Sequence, residues 1–470
     1  MYSFTYPAER YDERNLNKQE ILHLIQKHVS FAAELKKKMD YYKGQQEILK
    51  RQKEDGAPNN KLVCNHAKDI SDTASSYFIG EPITYHSDSD ITALMDALEN
   101  AGADEVDGDN GLDLSVYGLA YDYTYAKKDS TNLAIRNLSP LRTFMVYDDT
   151  IEENELFAVY YYAKKDDTDI SPITYVATVV TQNYKYVLNI LDQDTPQQLT
   201  ETPEPHYLEA VPITEYRNNK LAIGDFELQI PLIDAYNAIM SDRVNDKEQF
   251  IDSILAIYGM LLGDEDYVVD ENGNGDGMGV HEAMKRLKKD KVLEIPNGAK
   301  AEYLTHTFDE AGVEVLRRAI EQDIHKFSHI PCMTDESFGG NVSGVAMEFK
   351  LLGMENITKI KTRYYKRGVR KRLRMFSTWL SLKGQSVDIT GIKPVFTRCM
   401  PKNLLEISQW VSNLWGKVSR KTLLSQIPFV DNVDEELAAV EKEEQEAAKR
   451  QKEVFNTQQN TTVEDGANEE

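Results

Sequence analysis

PLIDAYNAIMSDRVNDKEQFIDSILAIYGMLL, residues 231–262, is the stretch that sets the architecture. Pro231 suits the first turn of a helix, where its missing N–H has no partner to lose. Leu232, Tyr236, Ile239 and Met240 begin an apolar stripe that Phe250, Ile251, Ile254, Tyr258 and Leu261 continue. Residues 241–249 between them are polar apart from Val244. Read as one helix, the segment is ~45 Å long. A polar middle on so long a helix suits a strut with solvent or neighbouring chains around it, not the core of a single domain. A second strut is predicted downstream, where Phe308, Val313, Leu316, Ile320, Ile324 and Phe327 recur up to Pro331. Two long amphipathic helices around a glycine-rich, acidic insert point to a structural subunit rather than an enzyme.

The insert, residues 263–305, holds Asp264, Glu265 and Asp266, a glycine-rich run at 272–279, a short basic helix at 282–289 and a strand at 292–295. Its string from Asp270 to Asp276 resembles the start of a calcium loop. His281 stands where that loop needs its glutamate, and the preceding segment is not helical, so a polar turn tip is the better reading. The glycines also lack the Lys-Ser/Thr pair of a phosphate loop.

Upstream, residues 17–54 read as helix, as do 64–78 and 91–101. An acidic loop is expected at 104–109, then a helix at 112–126. Val-, Tyr-, Phe- and Thr-rich segments at 141–147, 156–163, 173–180 and 184–191 predict antiparallel hairpins, and 195–205 a loop. After a paired-glycine loop at 334–343, a third long helix runs over 344–380, with Gly353 and Gly368 as candidate kinks. Strands are expected within 386–398. Three helices follow at 403–418, 419–425 and 431–454, then a polar, disordered tail from Asn456.

The chain has 470 residues, 41% hydrophobic and 28% charged, with a net charge of -24. That balance allows sizeable cores and argues against broad adhesion to duplex DNA or to acidic lipid. The three cysteines, Cys64, Cys332 and Cys399, form no CxxC pair, so neither a disulfide framework nor a zinc site is expected. No metal and no cofactor are predicted. Residues 1–10 carry no basic-then-apolar leader pattern, and no apolar run nears the ~20 residues of a membrane helix. Synthesis in the cytoplasm, and no membrane partner, are the expectation. His325 and His329 form the one helix-spaced histidine pair, read as solvated or interfacial. Lys359, Lys361, Arg363, Lys366, Arg367, Arg370, Lys371, Arg372 and Arg374 concentrate positive charge in an acidic protein. They either pair with acidic groups of this or a neighbouring chain or touch nucleic-acid phosphates.

Several stretches, taken in order, resemble a known family: residues 60–82 (NKLVCNHAKDISDTASSYFIGEP), 211–219 (VPITEYRNN) with 224–227 (GDFE), 232–237 (LIDAYN) and 343–351 (SGVAMEFKL). Together they look like the portal protein of tailed bacteriophages, of the type in long-tailed phages of Gram-positive hosts. The resemblance implies an α+β portal fold with long stem helices, a mixed wing domain, a small α/β clip and a helical crown. Carried over, 1–60 is an N-terminal helical segment, 61–231 the wing, 232–262 and 308–331 the stem helices, and 263–307 the clip. Residues 332–343 are the tunnel loop, 344–400 the kinked helix with wing strands, and 401–470 the crown and tail. The implied role is a ring, usually of twelve subunits, at one capsid vertex. It is the channel for DNA packaging and ejection and the dock for the terminase large subunit and the head–tail adaptor. Major capsid and scaffolding proteins are further implied partners, and the implied place is the virion, after assembly in the host cytoplasm. Phe338, Gly339, Gly340, Asn341 and Ser343 would approach double-stranded DNA, with Lys359, Lys361, Arg363, Lys366, Arg367 and Arg370 touching DNA or a neighbouring subunit. Another head–tail connector or capsid-associated protein is disfavoured by length, and a DNA-packaging enzyme by the lack of a nucleotide loop or carboxylate cluster.

Overall fold

The computed structural model describes residues 4–53, 58–127, 130–164, 174–191, 202–251, 254–258, 268–269, 275–276, 300–304, 310–332, 344–398, 404–425, 427, 430 and 433–464. The chain divides into two compact units, Met1–Ser337 with Leu351–Cys399, and Phe338–Lys350 with Met400–Glu470.

In the first unit, β1 (Phe4–Tyr6) precedes α1 (Lys18–Tyr42), which Asn17 caps by accepting from the Gln19 amide. This helix stops well short of residue 54 because Gly44 turns the chain at φ 79. Next come α2 (His66–Ile79), β2 (Thr84–His86), α3 (Thr92–Asn100) and α4 (Ala103–Tyr117). The expected acidic loop at 104–109 is therefore helical. Asp104 and Glu105 lie in the first turn, where the helix dipole favours carboxylates, and Asp107 and Asn110 point inward. The helix ends at Gly118, φ 83, where an added Cβ would lie 2.1 Å from the Ala222 carbonyl oxygen. The rest of the predicted helix is strand: β3 (Leu119–Ala126), rich in Tyr and paired on both sides.

The strands β4 (Leu133–Leu138), β5 (Thr143–Asp148), β6 (Glu155–Lys164), β7 (Thr174–Thr181), β8 (Tyr184–Leu191), β9 (Glu204–Pro205) and β10 (Ile213–Arg217) follow. A six-stranded sheet has the order β1-β5-β6-β7-β8-β9, and a three-stranded sheet the order β10-β3-β4. β1 runs parallel to β5; the other pairings are antiparallel. Alternation places Phe144, Val146, Phe157, Val159, Val179 and Leu188 against Leu24 and Ile25 of α1. Met145, Ala158 and Val180 face the other way, onto Leu119, Tyr121 and Ile213. The large sheet is thus covered on both faces.

His28 of α1 sits in the first of these cores, its ring 4.9 Å from that of Phe144 and Nδ1 2.9 Å from the Tyr161 hydroxyl. Burial pulls its pKa down to about 4. The folded state therefore holds His28 neutral, while the unfolded chain takes up a proton below about pH 6.5. Stability is unaffected above that value and is lost as pH falls toward 4, by about 1.4 kcal/mol per unit. Asp113 works in the opposite sense, because burial raises its pKa to about 7 and favours folding in acid. A comparison with His28→Phe isolates the histidine. Between pH 7 and pH 4.5 the parent protein should lose about 2–3 kcal/mol more than the variant in denaturant titrations. Equal losses would refute the assignment.

α5 (Ile230–Ile251) is shorter than the predicted strut. Its supposed continuation is β11 (Ile254–Tyr258), antiparallel to β14 (Lys300–Leu304). Residues 254–258 are continuously apolar, a run that fits a strand as well as a helical stripe, and pairing with 300–304 makes it a strand. Between these, β12 (Val268–Val269) pairs with β13 (Gly275–Asp276). The rest of the calcium-like string, and the helix and strand expected at 282–289 and 292–295, lie outside the described residues. α6 (Glu310–Ser328) and α7 (Gly344–Leu382) match the expected helices closely. Among the described residues after α7 only β15 (Lys393–Val395) is strand, paired with β2. Tyr365, Val369, Leu373, Phe376 and Leu380 of α7 form the second main core with Phe78, Leu94, Leu98, Val106 and Leu114.

The second unit contains α8 (Leu404–Leu414), α9 (Arg420–Leu424, capped by Ser419) and α10 (Val433–Glu464). Arg420 binds Glu444 at 2.8 Å, tying α9 to α10. The expected disordered tail is helical as far as Glu464, in keeping with the Ala, Glu, Lys and Gln content of α10. Among the described residues no helix is long and apolar enough to cross a membrane.

Candidate functional site

Helix α7 has two faces of opposite character. On the inner face Arg372 is fully buried. Its Nη2 lies 2.6 Å from Asp107 Oδ1 on α4, 2.6 Å from Asp122 Oδ2 on β3 and 2.9 Å from the Tyr216 hydroxyl on β10. The Tyr365 hydroxyl donates to Asp107 at 2.5 Å, and the Tyr216 hydroxyl to Asp122 at 2.7 Å. The two tyrosine rings stack at 4.4 Å. Burial opposes the charge on Arg372, but Asp107, Tyr216 and Asp122 outweigh it and hold the guanidinium protonated. Gly368 allows this packing: an added Cβ there would lie 2.2 Å from Cε1 of Tyr216.

Lys361 belongs to the same inner face. It is 2% exposed and binds Asp225 at 2.7 Å. Its predicted contact with DNA or a neighbour is therefore corrected: the ammonium is consumed within the subunit. Lys371, half-buried, binds Glu155 and the Ile213 carbonyl. Lys366 stands over the Phe396 ring at 5.7 Å.

The outer face carries Lys359, Arg363, Arg367, Arg370 and Arg374, all exposed. Their spacings of four, four, three and four put them in one row. Lys359 reaches Glu355 at 3.7 Å. The four arginines make no ion pair among the described residues. Arg367, Arg370 and Arg374 line an open cleft of about 750 Å³ whose other wall includes Glu152, Glu153 and Glu209. The tunnel-loop residues Phe338, Gly339, Gly340, Asn341 and Ser343 lie outside the described residues.

α5 and α6 form a cross-linked pair. Arg243 binds Glu310 at 3.0 Å and Glu314 at 2.8 Å, and Lys247 binds Glu310 at 3.1 Å. Arg317 donates to Tyr236 at 2.8 Å and binds Glu314 and Glu321 on its own helix. Hydrogen bonds from Arg317 and Arg318 hold the Glu314 carboxyl well below the usual range. At the end of α6 the supposed histidine pair separates. His325 is buried, with Nδ1 3.1 Å from the Ile330 carbonyl and its ring 5.6 Å from that of His66. His329 lies beyond the helix at φ 59, so the two do not share a helix face.

In the sequence the basic run is open to pairing with acidic groups of this or a neighbouring chain, to solvation or to contact with phosphates, but its division between two faces is not predicted. Arg372 is in phase with Tyr365, Val369 and Phe376, at spacings of seven, three and four, and that phase is the signal for burial. Asp107, Asp122 and Tyr216 carry no such local signal, since each meets Arg372 from a distant part of the chain.

The family described as "Phage portal protein, SPP1 Gp6-like" matches residues 21–450. The portal protein of Bacillus phage SPP1 is 24% identical over 441 residues, covering 88% of this chain and 82% of the relative. That of Clostridium phage phiCD119 is 22% identical over 435 residues, covering 84% and 89%. Among solved structures, a chain from the neck of an empty gene transfer agent particle aligns with 10% identity and a TM-score of 0.42, covering 79% of this chain and 89% of its own. The match across nearly the whole length settles the family: the chain is a member of the SPP1 Gp6-like phage portal proteins.

Proposed function

We propose that this chain is one subunit of a portal ring, set at one vertex of a phage capsid as the channel for double-stranded DNA. The family match over residues 21–450 carries this reading. The cross-linked α5 and α6 are the stem at the channel, and residues 263–307 are the clip, the dock for the terminase large subunit and later the head–tail adaptor. Residues 332–343 are the loop that approaches DNA, and the helices from residue 404 onward are the crown. Twelve copies complete the ring, and capsid and scaffolding proteins surround it. The net charge of -24 suits the role. A strongly basic wall would hold DNA by counterion release, whereas an acidic one repels phosphates over a screening length of about 8 Å.

Electron microscopy of the purified protein tests the reading. Rings with an open centre are the expected result. A strictly monomeric protein at every concentration, with or without scaffolding protein, would overturn it.

A further inference from the structure

The arginine row on α7 has a counterpart on the same subunit. Residues 69–126 contain thirteen Asp and Glu and no Lys or Arg. Of these, Asp96 and Glu99 on α3 and Asp104, Glu105 and Asp109 on α4 are exposed and make no ion pair among the described residues. Burial and the neighbouring charges of Asp107 and Glu99 push the Asp104 carboxyl up, the mark of crowded like charges.

The placement of the two patches follows from the buried contact between them. Tyr365 and Arg372 of α7 both touch Asp107 of α4. A residue two positions before or after another on a helix lies about 160° round the axis. Arg363 and Arg367 flank Tyr365 by two, Arg370 and Arg374 flank Arg372 by two, and Glu105 and Asp109 flank Asp107 by two. The basic row and the acidic face therefore look away from the contact that joins their helices, in opposite directions. A closed ring needs such a pair of different, complementary surfaces on opposite sides of each subunit.

We infer that the α7 row Arg363, Arg367, Arg370 and Arg374 of one subunit docks against the acidic α3–α4 face, centred on Glu105 and Asp109, of the next copy in the ring. The occupant is a second copy of this chain because each copy carries both faces. In a ring every guanidinium row then meets a carboxylate face, two surfaces that make no ion pair among the described residues of one subunit. Complementary charge of this kind sets partner choice and register. The inference rests on the ring reading above.

Charge exchange tests it. Arg367→Glu with Arg370→Glu, and separately Glu105→Lys with Asp109→Lys, alter exposed side chains and should leave circular dichroism and melting temperature unchanged. Each pair should reduce ring assembly at least tenfold, read by native mass spectrometry and electron microscopy. Carrying all four substitutions in one chain should restore rings, as should mixing the two double variants in equal amounts. Either double variant assembling like the parent, or a quadruple variant no better than the doubles, would overturn the interface. Unimpaired rings of Arg367→Glu with Arg370→Glu that retain DNA poorly would overturn it in favour of a phosphate contact. A parent protein that forms no rings would instead overturn the ring reading itself, so the two failures are distinguishable.

Discussion

Arg372→Met is expected to destabilise the first unit by about 3–5 kcal/mol, the range for removing one partner of a buried ion pair. The substitution keeps much of the side-chain volume, so the loss is electrostatic. Asp107 and Asp122, both buried, would face each other's charge without the guanidinium that bridges them at 2.6 Å. The Tyr216 hydroxyl would keep the bond it donates to Asp122 but lose the one it accepts from the guanidinium. In a unit of this size the melting temperature should fall by roughly 5 °C. A matching experiment separates lost charge from lost packing. Adding Asp107→Asn and Asp122→Asn to the methionine variant removes the orphaned charges and should recover a large part of the stability, since a buried ion network exchanged whole for neutral groups often costs little. Calorimetry of the three proteins checks both statements. A single variant within about 1 kcal/mol of the parent would show that the network does not hold α7 in place.

Gly368→Ala is expected to produce the second large effect. The new Cβ would stand 2.2 Å from Cε1 and 2.6 Å from Cδ1 of Tyr216. That ring has little freedom to retreat, being stacked on Tyr365 and tied through its hydroxyl to Asp122 and Arg372. The helix itself must shift, at the overpacking cost of about 1–3 kcal/mol. Alanine's better helix propensity returns about 1 kcal/mol, so the net loss is up to about 2 kcal/mol. Gly353→Ala supplies the contrast. It lies in the same helix, but its nearest new neighbour would be His329 Nδ1 at 3.5 Å, an ordinary contact. That variant should be neutral or stabilised by up to about 1 kcal/mol. Denaturant titration of both distinguishes a close-packing glycine from a merely permissive one, and similar values for the two would count against the close approach to Tyr216. Both positions also served as candidate kinks; the surroundings give Gly368 a packing reason of its own.

Much of the element order was legible because it rests on local periodicity. α6 and α7 follow from apolar residues at three- and four-residue spacing, and β5 to β8 from β-branched and aromatic runs between polar turns. The failures have equally local causes. Residues 104–109 look like a loop because charge and glycine hide the helix that Asp107, Asn110 and Leu114 anchor from inside. Residues 254–258 look like the continuation of a helix because an apolar run satisfies a stripe and a strand alike; pairing with residues 300–304 decides between them.

The sequence by itself determined the family, through ordered motifs spread along the chain, and the presence of long helices around an acidic insert. It also showed that α7 is basic. Only the tertiary structure decided which of those cations are free to meet a partner. Lys361 and Arg372 are taken up by Asp225, Asp107 and Asp122, which approach from other elements. Arg363, Arg367, Arg370 and Arg374 are left on the opposite face. Charge is a property of each residue, but burial and pairing depend on groups brought together across more than a hundred positions of chain, and no local spacing encodes that meeting.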